Sequence, residues 1–154
     1  MYDVLTVSQY IAWQSWGRGI EQLTNLRLQK ILYFLQLVFL SDLHTPCFKD
    51  RTEAWDLGPV VPKVYRHYEK YGYGALPGER TLEMEVISPK HRKVINEILD
   101  KLDEYSTYQL IAISKEQMPW KKNYVNYETH EIPLEDLKAF APENSKEKQT
   151  KPAK

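Results

Sequence analysis

TNLRLQKILYFLQLVFLSDL, residues 24–43, decides the fold. Leu28, Ile31, Leu32, Leu35, Val38 and Phe39 recur at helical spacing along one face. Leu26, Tyr33, Leu37 and Leu40 line a second face, so the helix is apolar nearly all round. A helix of that kind outside a membrane has neighbours on several sides. Thr24 stands where an N-cap belongs, its hydroxyl ready to accept from the first free backbone N–H groups. The segment therefore predicts the central strut of a mainly α, compact helical domain, built around a hydrophobic helix at about 24–43, with one or two short β segments. It is no membrane span: the longest uncharged apolar run, residues 31–41, falls far short of the ~20 residues a bilayer requires.

Outward from this strut the 3.6-residue period dominates. A first helix is expected over about 3–16, with Val4, Val7, Ile11 and Ala12 inward and Gly17 and Gly19 ending it. Residues 44–58 read as irregular, with a short strand around Glu53 to Trp55. Pro59 and Pro62 are expected to open a third helix that ends near Tyr71 at Gly72, since proline is tolerated in a first turn. TLEMEVI, residues 81–87, alternates Leu82, Met84 and Val86 with polar residues and predicts a half-buried strand. Ser88 and Pro89 start a fourth helix to about Leu102, with Lys93, Glu97 and Lys101 on its solvated face. Ser106 starts a fifth to about Ser114, a turn follows at 120–124, and residues 133–140 close the domain through Leu134, Leu137 and Phe140. PENSKEKQTKPAK, from Pro142 onward, has no large apolar residue to offset the entropy of ordering. The expectation is one domain over 1–141 and a flexible polar tail over 142–154.

Composition narrows the chemistry. The chain has 154 residues, enough for a core without metal or disulfide staples. Lys plus Arg equals Asp plus Glu at 21 each, so neither sign dominates the long-range field, which argues against a general nucleic-acid or membrane-surface binder. Cys47 is the single cysteine and excludes an internal disulfide. The first residues lack the basic start and apolar core of a signal peptide, and the cytoplasm is the expected compartment. No nucleotide loop, zinc-protease helix or serine-hydrolase elbow occurs. His44 and Cys47 are three apart without a second ligand pair, and His67, His91 and His130 show no metal spacing. No metal, cofactor or catalytic residue is expected.

One stretch offers a binding surface. In VPKVYRHYEKYG, residues 61–72, Lys63, Arg66, His67 and Lys70 make a basic stripe opposite Val61, Val64, Tyr65, Tyr68 and Tyr71. Two readings are open: a docking helix that offers positive charge to an acidic partner, or an amphipathic helix with a solvated basic face. The 11 tyrosines and 4 tryptophans exceed what a small core needs, and Trp13, Trp16, Trp55 and Trp120 each suit either core or contact.

Two segments are more specific. Thr24-Asn25-Leu26-Arg27-Leu28-Gln29-Lys30-Ile31-Leu32-Tyr33 resembles the hallmark LTNLKLQKLLYY helix of the Panacea (SocA-like, GepA-type, phage-associated) antitoxin domain. Ala54-Trp55-Asp56-Leu57-Gly58-Pro59-Val60-Val61-Pro62-Lys63-Val64-Tyr65 is similar to that family's AWxxGPVxxxVY block. Asp3-Val4 with Tyr10-Ile11, Pro119-Trp120 and IPLEDL at 132–137 agree in order and spacing, so the resemblance spans about 3–140. Ser114-Lys115 departs from it, where many members carry Thr-His.

The resemblance implies an antitoxin of prophage and mobile-element toxin–antitoxin operons that neutralises a cognate toxin protein by binding it. Some members of the family act instead as adaptors that hand a toxin to a Clp-type protease. A DNA-binding autoregulator is the alternative from another class, and net neutrality counts against it. The aromatic surplus permits a homodimer. The expected partner-binding residues are Trp55, Pro59, Lys63, Arg66, His67 and Lys70. Thr24, Asn25, Leu28, Gln29, Lys30, Tyr33, Gly58, Val60, Tyr65 and Trp120 carry the motif. Gln29 and Lys30 interrupt an apolar helix, so they either join a pocket with Trp55 and Pro59 or make buried hydrogen bonds that fix the helix to the GPV loop. Gly58-Pro59 is read as a tight turn into a helix start whose free N–H groups would accept an acidic side chain.

Overall fold

In the computed structural model of the chain, residues 1–16, 18 and 22–148 are described, those from 143 to 148 by backbone alone. Among them the fold is mainly α, with one small sheet. Helix α1 (Val4–Ser15) is capped by Asp3, whose carboxylate accepts from Leu5 N at 2.9 Å. Gly17 and Gly19, expected to end it, lie outside the described residues. Helix α2 (Asn25–Val38) starts at Thr24, whose hydroxyl accepts from Arg27 N at 3.2 Å. It runs into a π-helical turn (Phe39–Leu43) that closes on His44 in the left-handed region, φ 57°.

The two apolar faces of α2 serve two separate clusters. Leu28, Ile31, Leu32, Leu35, Val38 and Phe39 pack with α1, α3 (Pro62–Tyr68) and α4 (Pro89–Leu102). Tyr33, Leu37 and Leu40 pack with Ala54, Trp120, Ile132 and Leu137. Phe34 touches both.

Strands β1 (Thr52–Trp55), β2 (Gly58–Val60) and β3 (His130–Ile132) form an antiparallel sheet in the order β2-β1-β3. In register, Trp55 faces Gly58 and Ala54 faces both Pro59 and His130. Only β1 was legible as a strand. Pro59 belongs to β2 rather than to a helix start, and it is Pro62 that occupies the first turn of α3. That helix ends in a 3₁₀ turn (Glu69–Tyr71) at Gly72, as its glycine predicts.

Residues 81–87 correct the strand expectation: Leu82–Val86 is a 3₁₀ helix. Met84 is 2% exposed, whereas Leu82 and Val86 are 79% and 65% exposed. Alternation alone cannot make a strand without a hydrogen-bonded neighbour, and this segment packs on α1 instead.

Helix α4 takes its N-cap from Ser88, and α5 (Thr107–Lys115) has a full capping box between Ser106 and Gln109. Helix α6 (Met118–Asn123) replaces the expected turn, and α7 (Leu134–Lys148) closes the domain. The backbone of α7 continues through Pro142, and 149–154, the rest of the segment expected as a tail, lie outside the described residues. Among the described residues no helix is long and apolar enough to cross a membrane.

Candidate functional site

Three polar residues that interrupt α2, Asn25, Gln29 and Lys30, point to one neighbour, the β1–β2 hairpin and the chain that follows it. Lys30, with no exposed surface, donates from Nζ to Pro59 O at 2.7 Å. Gln29 Oε1 accepts from Val61 N at 2.8 Å, and its Nε2 donates to Asn25 Oδ1 at 2.9 Å. Asn25 Nδ2 in turn donates to Tyr65 O at 3.0 Å. Three backbone groups, Pro59 O, Val61 N and Tyr65 O, are thereby met from α2. Each buried bond contributes about 1 kcal/mol net, and an orphaned partner would cost about 1–3 kcal/mol. About two helical turns past Gln29, Gln36 treats the preceding loop alike, accepting from Cys47 N at 2.7 Å and donating to Phe48 O at 2.9 Å.

Gly58 fits this contact because its φ is +103° and because a Cβ there would lie 2.8 Å from Ser114 Oγ and 3.1 Å from Lys30 Nζ. The turn it makes closes the hairpin rather than starting a helix, which corrects the expected N–H site: Val61 N is already taken by Gln29. Burial, and then the positive charge of Lys115, lower the Lys30 pKa to about 7. Ser114-Lys115, the dipeptide that departs from the family block, thus abuts the GPV turn and its lysine.

The hairpin is held from its other side by Trp120, whose Nε1 donates to Trp55 O at 2.8 Å. Lys115 lies over the Trp120 ring at 5.1 Å, and Tyr124 stacks on that ring at 4.4 Å. Tyr33, also on α2, donates to Gln117 Oε1 at 2.7 Å, tying α2 to the turn before α6. Asn25, Gln29, Lys30, Gly58 and Tyr65 meet where α2 holds the hairpin, Tyr33 and Trp120 pack in the second cluster, Thr24 caps α2, Leu28 packs in the first cluster, and Val60 is buried in β2.

The expected contact residues divide. Pro59 is buried in β2 with its carbonyl taken, so it lies beneath the surface rather than on it. Lys63 is exposed but lies near Asp3 at 3.8 Å and Asp50 at 3.5 Å. Arg66, His67 and Lys70 are exposed, Lys70 sitting 5.4 Å from the Tyr71 ring centroid. Trp55 is half-buried, edge-to-face with Tyr65 at 5.0 Å, with its Nε1 donating to Glu53 at 2.9 Å. Trp16 is exposed and Trp120 buried. Cys47 is buried, its thiol pushed up to about 12 by burial, while His44 is exposed.

Beside Trp55 opens a groove of about 420 Å³, walled by the α2 N-terminus, the hairpin tip and the end of α3. Asn25, Gln29, Trp55 and Tyr65 were legible in the motifs; Asp56, Leu57, Glu69 and Tyr73 were not. The signal for Asp56 and Leu57 was their place at the tip between Trp55 and Gly58, the two x positions of the AWxxGPV block.

Comparison with known proteins gives the family. The family described as "Antitoxin SocA-like, Panacea domain" matches residues 28–121, more than half of the chain. The chain is similar to Antitoxin SocA of Caulobacter vibrioides (strain NA1000 / CB15N), 33% identical over 103 residues, which is 60% of this chain and 54% of that protein. It thus spans about half the length of that curated relative. No solved structure matches the chain. The matched span begins within α2, takes in the whole hairpin with its lysine and glutamine clasp, and ends just past Trp120, so the chain belongs to the SocA-like Panacea antitoxin family.

Proposed function

We propose that this protein is a non-catalytic antitoxin that neutralises a cognate toxin by direct protein–protein binding. The family supplies the antitoxin role, and the carrying observation is how the signature residues are used. Asn25 and Gln29 bond to each other, and together with Lys30 they bond to the backbone of the hairpin and of the chain after it, so they build a scaffold and present nothing to a partner. What the scaffold leaves facing solvent is the basic side of α3 beside the half-buried Trp55. Arg66, His67 and Lys70 form the open part of that face, with Lys63 at its edge beside Asp3 and Asp50. Positive charge there steers an acidic partner surface and sets its orientation.

The test is co-expression with the toxin of the neighbouring reading frame. Charge reversal at Lys63, Arg66 and Lys70 together weakens neutralisation, while stability changes by no more than about 1.5 kcal/mol, at up to ~0.5 kcal/mol for each of the three surface substitutions. Full neutralisation by the reversed variant overturns the assignment of this face. Toxin abundance in the same cells separates the mechanisms: toxin persists under sequestration and disappears under delivery to a Clp-type protease.

A further inference from the structure

We propose that the groove beside Trp55 receives a cationic side chain, arginine best of all, from an apolar-flanked segment of the partner polypeptide. The proposal rests on reading the chain as a protein-binding antitoxin and names the chemistry of the contact.

The groove's volume of about 420 Å³ suits a few side chains rather than a domain. Its lining includes two acidic residues, Asp56 and Glu69, and no lysine, arginine or histidine. Among the described residues Glu69 has no ion pair, and Asp56 accepts only from the Tyr124 hydroxyl. The amides at the floor, Asn25 and Gln29, are committed to each other and to backbone. The walls are aromatic and aliphatic: Trp55 and Tyr65 meet edge-to-face, and Leu57 and Tyr73 are 51% and 95% exposed.

This combination selects its occupant. A purely apolar segment would strip water from two carboxylates and return nothing to them. An acidic segment would be repelled. A cation meets both carboxylates, and a guanidinium also lies well against aromatic surface, because it is planar and weakly hydrated. The Trp55 indole N–H is already taken by Glu53, so the ring has its π surface to offer rather than a donor. The groove's acidic lip and the basic face of α3 adjoin through Glu69 and Lys70. A partner would therefore need charges of both signs in a fixed order, which gives register as well as attraction.

The experiment titrates the intact chain, ¹⁵N-labelled and followed at its indole N–H resonances, with the Trp55 signal assigned from Trp55→Phe. The probes are acetyl-Leu-Arg-Leu-amide, acetyl-Leu-Glu-Leu-amide and arginine amide. The expected result is a saturable shift of the Trp55 resonance with the arginine peptide and none with the glutamate peptide. Affinity should fall about threefold in Glu69→Gln, as for one partly exposed charge contact, and further in Leu57→Arg, which places the chain's own cation in the groove. No saturable shift, or equal binding of the glutamate peptide, overturns the proposal. So does arginine amide binding as tightly as the peptide, which would make this a site for a free small cation. The titration needs no toxin, so it separates the two readings. Peptide binding by a chain that neutralises nothing sinks the antitoxin reading alone. Unaltered neutralisation by Leu57→Arg together with absent peptide binding sinks the groove alone.

Discussion

Lys30 donates to a carbonyl, and among the described residues it makes no ion pair, so that one bond offsets only part of the desolvation of its ammonium. The consequence is a pH-dependent stability. An unfolded lysine holds its proton to about pH 10.4, whereas in the fold burial and Lys115 lower the pKa to about 7. Between those limits the unfolded state binds more protons, so stability rises with pH, with a slope of at most about 1.4 kcal/mol per pH unit. Above about pH 8.5 the buried Cys47 thiol opposes it, since an unfolded thiol ionises there while the folded one, at about 12, does not. Tyr33, raised by burial, adds to that opposition at still higher pH. The window is therefore pH 7 to 8.5. Urea midpoints should climb across it in the native sequence and stay level in Lys30→Met; a level native profile would refute the account. Gly58 makes the second prediction at this scale. Gly58→Ala combines an unfavourable φ of +103° with a Cβ 2.8 Å from Ser114 Oγ, and should destabilise by about 1–3 kcal/mol. Adding Ser114→Ala should restore only part of that, because it removes the contact and leaves the dihedral. An unchanged denaturation midpoint in Gly58→Ala would show that the turn has relaxed.

At the scale of elements, legibility followed locality. Helices α1, α2, α4 and α5 could be read because each carries its own signals: caps at Asp3, Thr24, Ser88 and Ser106, and a 3.6-residue apolar period. Even the double amphipathicity of α2 was visible, since a helix apolar on two faces must divide two clusters. Strands β2 and β3 were not, because each has three residues and exists only through pairing with β1, a fact about residues up to about 80 positions away. Residues 82–86 failed for the converse reason, a strand-like alternation with no ladder to join. In the candidate site the sequence exposed the clasp, for Gln29 and Lys30 stand out on an apolar helix, yet left open what they hold. Their partners, Pro59 O and Val61 N, are backbone atoms with no residue-type signature. Asp56 and Glu69 carry no signal of their own in the sequence, because their meaning comes only from sharing one groove.

At the scale of the whole molecule, α2 and the π-helical turn that continues it contribute to both apolar clusters, and that arrangement fixes how the domain should come apart. Leu32 is wholly buried in the cluster with α1, α3 and α4, and Leu37 is 2% exposed in the cluster with Trp120 and α7. Phe34 packs against both, and the polar clasp from Asn25 to Lys30 ties the hairpin between them to the same helix. Loosening either cluster therefore exposes a face of α2 and unseats residues that the other depends on. Leu32→Ala and Leu37→Ala should each cost about 2–5 kcal/mol, the range for truncating a buried leucine. Each should also shift a single transition, with far-ultraviolet circular dichroism and tryptophan fluorescence coinciding, because Trp120 reports one cluster and the helical signal both. If instead Leu37→Ala moved the fluorescence transition and left most of the helical signal melting at its original midpoint, the two clusters would be separate cooperative units. The hairpin would then open without the rest of the domain, and the groove beside Trp55 could not be a preformed surface.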